Sequence, residues 1–374
     1  MSEHVVQRFG PEYYCNEPGA FEQLPEILND RRWHNVLLVH GHRSWEAAKP
    51  YLPLDQLTNV AEAVHQGECS ESEMERIKQL SIQHSSDVII GVGGGKILDT
   101  VKAVSARQSI PCVLLPTLAS NCASFTPISI VYKEDGSRLG TLRHRKSNNV
   151  VLVEPRIIAE APIEAFQSGL GDTLAKWYEA RVRLSKIPQE ERSLPLQLSY
   201  DYAKTCRDTV FENGKQALDA VKEKTATLAL QRVIDTIFIA AGLVGGLAEA
   251  HGRSVGAHAF FNASTFLGLE AVAPHGTLVA YGILLQLELE SKLAEQKQVL
   301  DLYQDLGLPT KLAQVGLSLG NEQQLSILAR HMTDSDSRIH ELPFDVTAER
   351  VRTAIEKLEA RAQQHAEKVE TTHD

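Results

Sequence analysis

The run Val88-Ile89-Ile90-Gly91-Val92-Gly93-Gly94-Gly95-Lys96, continuing as Ile97-Leu98-Asp99-Thr100, decides how the first half of the chain is read. Val88 to Val92 has the make-up of a buried strand, glycines end it, and Ile97 to Arg107 follows a helical pattern. Three consecutive glycines let the backbone come close to a ligand, and a helix N-terminus offers unpaired N–H groups and positive dipole. A diphosphate suits such a place, with Lys96 adding a charge. Two commoner glycine motifs do not fit. A P-loop needs glycine where Ile90 stands and Ser or Thr where Ile97 stands, and the GxGxxG fingerprint needs glycine at Lys96. The plainer reading is a turn that only allows tight strand–helix packing.

Outward from this loop the chain alternates. Val36–His40, Val60–His65 and Pro111–Leu115 read as strands, and Ser70–His84 reads as a helix with acids in its first turn. This alternation predicts an α/β, Rossmann-like domain with a mostly parallel sheet. Ile128–Tyr132 and Val150–Val153, joined by a polar segment, are expected to form an appended hairpin. After Pro155 helical patterns dominate: Gly171–Leu184, Leu196–Asn213, Glu223–Leu247, His275–Lys297 and Ala348–Val369. The expected organisation is an α/β nucleotide-binding domain over 1–160 and an all-α domain over 161–374.

The 374 residues carry a net charge of -10, with 43% hydrophobic and 23% charged residues, a balance that argues a folded globular protein. An acidic chain lacks the cationic surplus that nucleic acid or an anionic membrane demands, so neither is expected as a partner. The longest uncharged apolar run, Ile237 to Ala248, falls short of the roughly 20 residues of a membrane span and is expected to be a buried helix. The N-terminal MSEHVVQRFG has no secretory apolar core, and the five scattered cysteines show no CxxC spacing. The expectation is a cytoplasmic protein with reduced thiols.

Several segments, in order, carry a resemblance: GVGGGKILDTVKA, PTLAS, VLVEPRIIAEAPIEAFQSGLGDTLAKWYEA, AHAFFNA and HGTLVAYGILLQL. They closely resemble the iron-containing alcohol dehydrogenase superfamily, in its glycerol dehydrogenase branch, and most nearly the members acting on 2-oxo acids. The resemblance implies a nucleotide-binding N-terminal domain, a helical metal-binding domain and catalysis where they meet. It implies metal ligands at Asp172 of GLGD, His258 of GAHAF and His275 of PHGT, which act in catalysis through the metal. One carboxylate and two imidazoles make an open site for a divalent ion. Four-ligand iron members carry a fourth ligand, a His, four residues after the Asp. Here that position is Lys176, which places zinc ahead of iron or nickel. Members also often read HAxHN, where this chain has Phe261, a change that bears on proton delivery.

Cofactor contacts implied by the motifs are Gly94, Gly95 and Lys96 for diphosphate, with Thr117, Leu118, Thr126, Ile128 and Tyr132. Asp99 is either a further contact or a first-turn charge. NAD-using relatives place an Asp after the strand equivalent to Val36–His40. This chain reads Gly41-His42-Arg43, so NADP(H) is preferred over NAD(H), with Arg43 meeting a 2′-phosphate unless it merely lies on a solvated helix face. Cys122 stands where glycerol dehydrogenases carry a polyol-binding Asp. Lys176, on the same helix face as Asp172 and Glu179, either binds a substrate carboxylate or pairs with one of those acids. The function implied is hydride transfer between NADPH and a 2-oxo acid or 2-hydroxycarboxylate, such as 2-oxobutyrate or 2-oxoglutarate. The alternatives are an NAD-dependent glycerol or other polyol dehydrogenase and a catalytically silent dinucleotide-binding protein. A homo-oligomer, dimer or octamer, is implied by the resemblance alone.

Overall fold

Six parallel strands form one sheet: β1 (Tyr13–Asn16), β2 (Val36–His40), β3 (Val60–Val64), β4 (Val88–Gly93), β5 (Cys112–Pro116) and β8 (Val150–Val153), in the spatial order β1-β8-β5-β4-β2-β3. The computed structural model describes residues 7–372. Every residue of β2, β4, β5 and β8 is buried, as expected when helices cover both faces of a parallel sheet. One face packs Val36, Leu38, Ile90, Val92, Val113 and Leu152 against Phe21, Leu24 and Leu28. Chain order reverses between β2 and β4: β3 lies outside β2, while β5 and β8 continue on the other side of β4. The carboxyl ends of β2 and β4, in register at His40 and Val92, therefore frame the crevice where such sheets bind ligands.

The expected hairpin is corrected. Ile128–Tyr132 (β6) does pair antiparallel, but with Arg138–Arg143 (β7), across a turn in which Gly136 has φ +82°. Val150–Val153 instead enters the main sheet between β1 and β5. Its four consecutive apolar residues suit a strand covered on both sides rather than a hairpin arm. The strand Tyr13–Asn16, with its mixed polar sequence, has no pattern that singles it out in the sequence.

The helices also differ in extent from the sequence reading. The helix bearing Asp172 runs over Ile163–Leu184, so Asp172 lies in its third turn and not at its start. The stretch expected as Glu223–Leu247 is Leu228–Asp235, a π-helical turn Thr236–Ala240 and Ala241–Ala248, largely buried as foreseen. The stretch expected as His275–Lys297 divides into His275–Leu289 and Leu293–Leu306.

By internal contacts the chain forms two units. Among the described residues the sheet unit contains 7–166 and Gln216–Gly246, and the helical unit contains Gln167–Lys215 and 247–372. A single boundary at residue 160 thus misplaces 216–246, because a helical pattern does not reveal which core a helix serves. Here polar ties do: Tyr14 Oη donates to Asp235 Oδ1 at 2.7 Å, and Asn16 Nδ2 to the Gln231 carbonyl at 3.1 Å.

Candidate functional site

In the helical unit two helices touch through glycines. A Cβ on Gly171 would meet the Gly276 carbonyl oxygen at 2.2 Å, and one on Gly276 would meet the Ser168 carbonyl oxygen at 1.8 Å. Only glycine allows this approach. Ser168 Oγ fastens it by accepting from the Gly276 N–H at 2.9 Å. The crossing sets Asp172, next to Gly171, beside His275, next to Gly276. Nε2 of His275 and Nε2 of His258 each lie 3.5 Å from Asp172 Oδ1. All three donor atoms lie within 4.8 Å of one another. Tetrahedral bonds of about 2.1 Å to a zinc ion would put donors about 3.4 Å apart. The carboxylate and two imidazoles therefore could hold such an ion, and the His275 side chain, 37% exposed, leaves a side open to a further ligand.

Two more charged side chains complete the cluster. Lys176 Nζ donates to Asp172 Oδ1 at 2.9 Å. Glu179, buried on the same helix, accepts from His258 Nδ1 at 2.6 Å and from the His258 and Val255 backbone N–H groups at 2.8 and 2.7 Å. These neighbours govern ionisation. Burial opposes charge on Asp172, but Lys176 and the two imidazoles override it and hold the carboxyl well below its usual range. Burial would likewise lower His258, yet the attraction of Glu179 and the hydrogen bond to Asp172 lift its pKa to about 9. Burial does prevail at His275, whose pKa is lowered despite Asp172. Phe261 lays its ring against His275 edge-on, with centroids 4.1 Å apart.

In the sheet unit the glycine loop joins β4 to the helix Gly95–Gln108, with Gly94 as an extended N-cap that has no capping side chain. A Cβ on Gly93 would meet Ile97 Cδ1 at 2.5 Å, so one of the glycines serves packing. Gly94 and Gly95 carry no such severe clash: a Cβ there would meet Leu118 Cδ1 at 3.2 Å and Asn121 Nδ2 at 3.4 Å. Ser44 Oγ donates to the Val92 carbonyl at 2.9 Å and ties the turn after β2 to the end of β4. Arg43 is exposed in the first turn of His42–Ala48, directly after that strand. Thr117 donates its N–H to the Gly93 carbonyl at 3.1 Å, and Leu118 is half-buried over Gly94.

Several expected cofactor residues are otherwise engaged. Lys96 is exposed and pairs with Glu68, with its ammonium 5.8 Å from the Tyr132 ring centre. Burial raises the Tyr132 hydroxyl to a pKa of about 12. Asp99 is not aimed at the loop. Its Oδ2 accepts from the Ile130 N–H at 2.9 Å and its Oδ1 pairs with Lys102 at 2.7 Å. Lys102, fully buried, also donates to the carbonyls of Ala123, at 2.6 Å, Thr126, at 3.1 Å, and Ile128. The segment holding Cys122, Thr126 and Ile128 is thus drawn onto one cation. Thr126 Oγ1 donates to the Cys122 carbonyl at 3.2 Å, and Cys122 itself is half-buried. Beside this segment Ser129 Oγ donates to the Asp99 carbonyl at 2.7 Å and accepts from His144 Nε2 at 2.8 Å. Burial, then the charges of Lys102 and Arg107, push His144 down to a pKa of about 4.

Sequence reading missed Lys102 and the partner of Glu179. Lys102 has an i, i+3 acid as its sequence cue, and Glu179 shares a helix face with Asp172 at i, i+7 but has its partner, His258, 79 residues away.

Comparison with known proteins places these features. Residues 11–155 match the iron-containing alcohol dehydrogenase family. Hydroxycarboxylate dehydrogenase A of Escherichia coli is 36% identical over 356 residues, 94% of this chain and 96% of that protein. A glycerol dehydrogenase of Thermotoga maritima is 35% identical over 300 residues, 79% of this chain and 80% of that protein. Among solved structures, a probable glycerol dehydrogenase from Sinorhizobium meliloti superposes with a TM-score of 0.83 at 28% identity, covering 96% of this chain and 99% of that one.

Proposed function

Because the chain belongs to the iron-containing alcohol dehydrogenase family, and so is an oxidoreductase acting on CH–OH groups, we propose that it moves hydride between NADPH and a 2-oxo acid or the matching 2-hydroxycarboxylate. This reading is carried by the likeness to hydroxycarboxylate dehydrogenase A together with the cation beside the potential metal ligands: Lys176 pairs with Asp172 at 2.9 Å, and its use as a carboxylate anchor requires that it also reach the substrate. Asp172, His258 and His275 are the residues that would hold a divalent ion, with zinc the first choice because Lys176 leaves three protein donors. When bound, the ion supplies Lewis-acid polarisation of a carbonyl oxygen, and the nicotinamide supplies the hydride.

The remaining roles fall to side chains. Lys176 holds its ammonium on Asp172 Oδ1, the oxygen nearest both imidazoles, where it would serve as the cation for the carboxylate of a 2-oxo acid such as 2-oxobutyrate or 2-oxoglutarate. By the resemblance, Cys122 replaces the Asp with which glycerol dehydrogenases bind a polyol, so this chain lacks that anion. Gly94 and Gly95 are the residues that would admit a cofactor diphosphate to the helix N-terminus, and Arg43, exposed after β2, is the one that would meet a 2′-phosphate. The resemblance to glycerol dehydrogenases favours a second reading, an NAD-dependent polyol dehydrogenase.

A panel of 2-oxo acids and polyols, assayed with each nicotinamide cofactor, separates the two. The first reading expects the highest kcat/KM with NADPH and a 2-oxo acid, and the second with NAD and a polyol. Lys176→Met should cut kcat/KM for 2-oxobutyrate about 10- to 100-fold more than for an uncharged ketone, the worth of a charge-assisted contact. Equal losses on both substrates remove the carboxylate anchor.

A further inference from the structure

The first turn of the helix Gly256–Thr265 is capped from outside. Its own N-cap, Val255, offers no capping side chain. Two buried side chains of neighbouring helices take its four leading N–H groups instead. Glu179 accepts from Val255 and His258, and Gln286 Oε1 accepts from Gly256 at 2.9 Å and Ala257 at 3.2 Å. The two caps do the same work on the backbone, yet one is a neutral amide and the other a carboxylate. An amide meets the needs of N–H groups at less desolvation cost than a buried anion. What separates the two is the ring of His258, whose Nδ1 lies 2.6 Å from Glu179 Oε2.

We infer that Glu179 is a positioning residue that makes His258 a metal ligand, by accepting a hydrogen bond from Nδ1–H and so leaving the Nε2 lone pair facing Asp172. This rests on the reading that Asp172, His258 and His275 hold an ion. A carboxylate only accepts, so a neutral His258 beside it carries its hydrogen on Nδ1. Nε2, 3.5 Å from Asp172 Oδ1, is then the free donor. The same carboxylate also fixes the ring's rotation, because it grips the backbone N–H of the residue it orients. One acid sets the place, the angle and the tautomer of a ligand, the arrangement that raises a ligating imidazole's basicity.

Glu179→Gln tests this. The amide keeps the shape and its oxygen still accepts from the two backbone N–H groups. Its NH2 now faces Nδ1 and demands a lone pair there, which forces the hydrogen onto Nε2. Zinc affinity, measured on the full-length protein by competition with a chromophoric chelator, should fall about 10- to 100-fold. Gln286→Met removes the other cap and should lower Tm while leaving zinc affinity within about threefold. In a His258→Ala background the Glu179 change should cost no further affinity. Unchanged zinc affinity in Glu179→Gln overturns the inference, as does an equal loss in Gln286→Met or a full further loss in the His258→Ala background. If His258→Ala binds zinc as the parent does, the ion site itself is misassigned, and that outcome is separate from the other three.

Discussion

The glycine loop and the metal-ligand cluster prepare for their partners by opposite means. The loop works with backbone: Gly94 and Gly95 keep space clear at a helix N-terminus, and the charged residues first suspected there, Lys96 and Asp99, are engaged elsewhere. The cluster works with side chains: an unbroken line runs from Lys176 through Asp172 and His258 to Glu179, each polar group met by the next. A site made of backbone tolerates changes in the side chains around it. A site made of mutually dependent charges fails when any one is withdrawn, since the partner left behind is buried without a counter-charge.

Asp172→Asn should produce the largest effect. Losing the carboxylate removes the group on which three side chains converge, and with it the several kcal/mol that an ion contributes, roughly three orders of magnitude in kcat/KM. NADPH binding, followed by fluorescence titration, should stay within about twofold. A parallel loss of cofactor affinity would break the contrast between the two regions.

Lys102→Met carries the contrast into the sheet unit. The backbone of the 123–128 segment is gathered by this one buried ammonium, and its removal strands Asp99 in the interior. Stability should fall by about 3–5 kcal/mol in denaturant unfolding. A loss under 1 kcal/mol would mean that the carbonyls of 123, 126 and 128 hold their places unaided.

The smallest effect concerns pH. His144 is neutral in the fold, with a pKa of about 4 against about 6.5 when unfolded. Its contribution to stability is present above pH 6.5 and is lost as pH falls toward 4, because the unfolded chain takes up the proton first. The loss amounts to at most about 3 kcal/mol. In His144→Gln this part of the acid limb should flatten when urea midpoints at pH 7 and pH 4.5 are compared. Identical limbs in both proteins would show that burial does not suppress protonation there.

The same contrast explains what the sequence disclosed. The strands β2, β3, β4 and β5 are written locally, in runs of aliphatic residues closed by turn residues, and they fall within a residue or two of expectation. β8 is just as apolar, but its neighbour in the sheet is set by chain topology, so proximity along the chain misled. Asp172, His258 and His275 span more than a hundred positions, and no local pattern joins them. Family motifs named them together, and the Gly171–Gly276 crossing supplies the physical reason they meet. Glu179 stood in plain view on the Asp172 helix face. Its role was hidden because it is defined by a ring on another helix.

Lys102 has one more consequence. Carbonyl oxygens gathered around a positive centre are the means by which other proteins lodge a potassium ion. Here the cation is tethered to the chain and cannot be washed out. The segment from Ala123 to Ile128 is thus held by a cation of its own chain and needs no bound monovalent ion to gather its carbonyls.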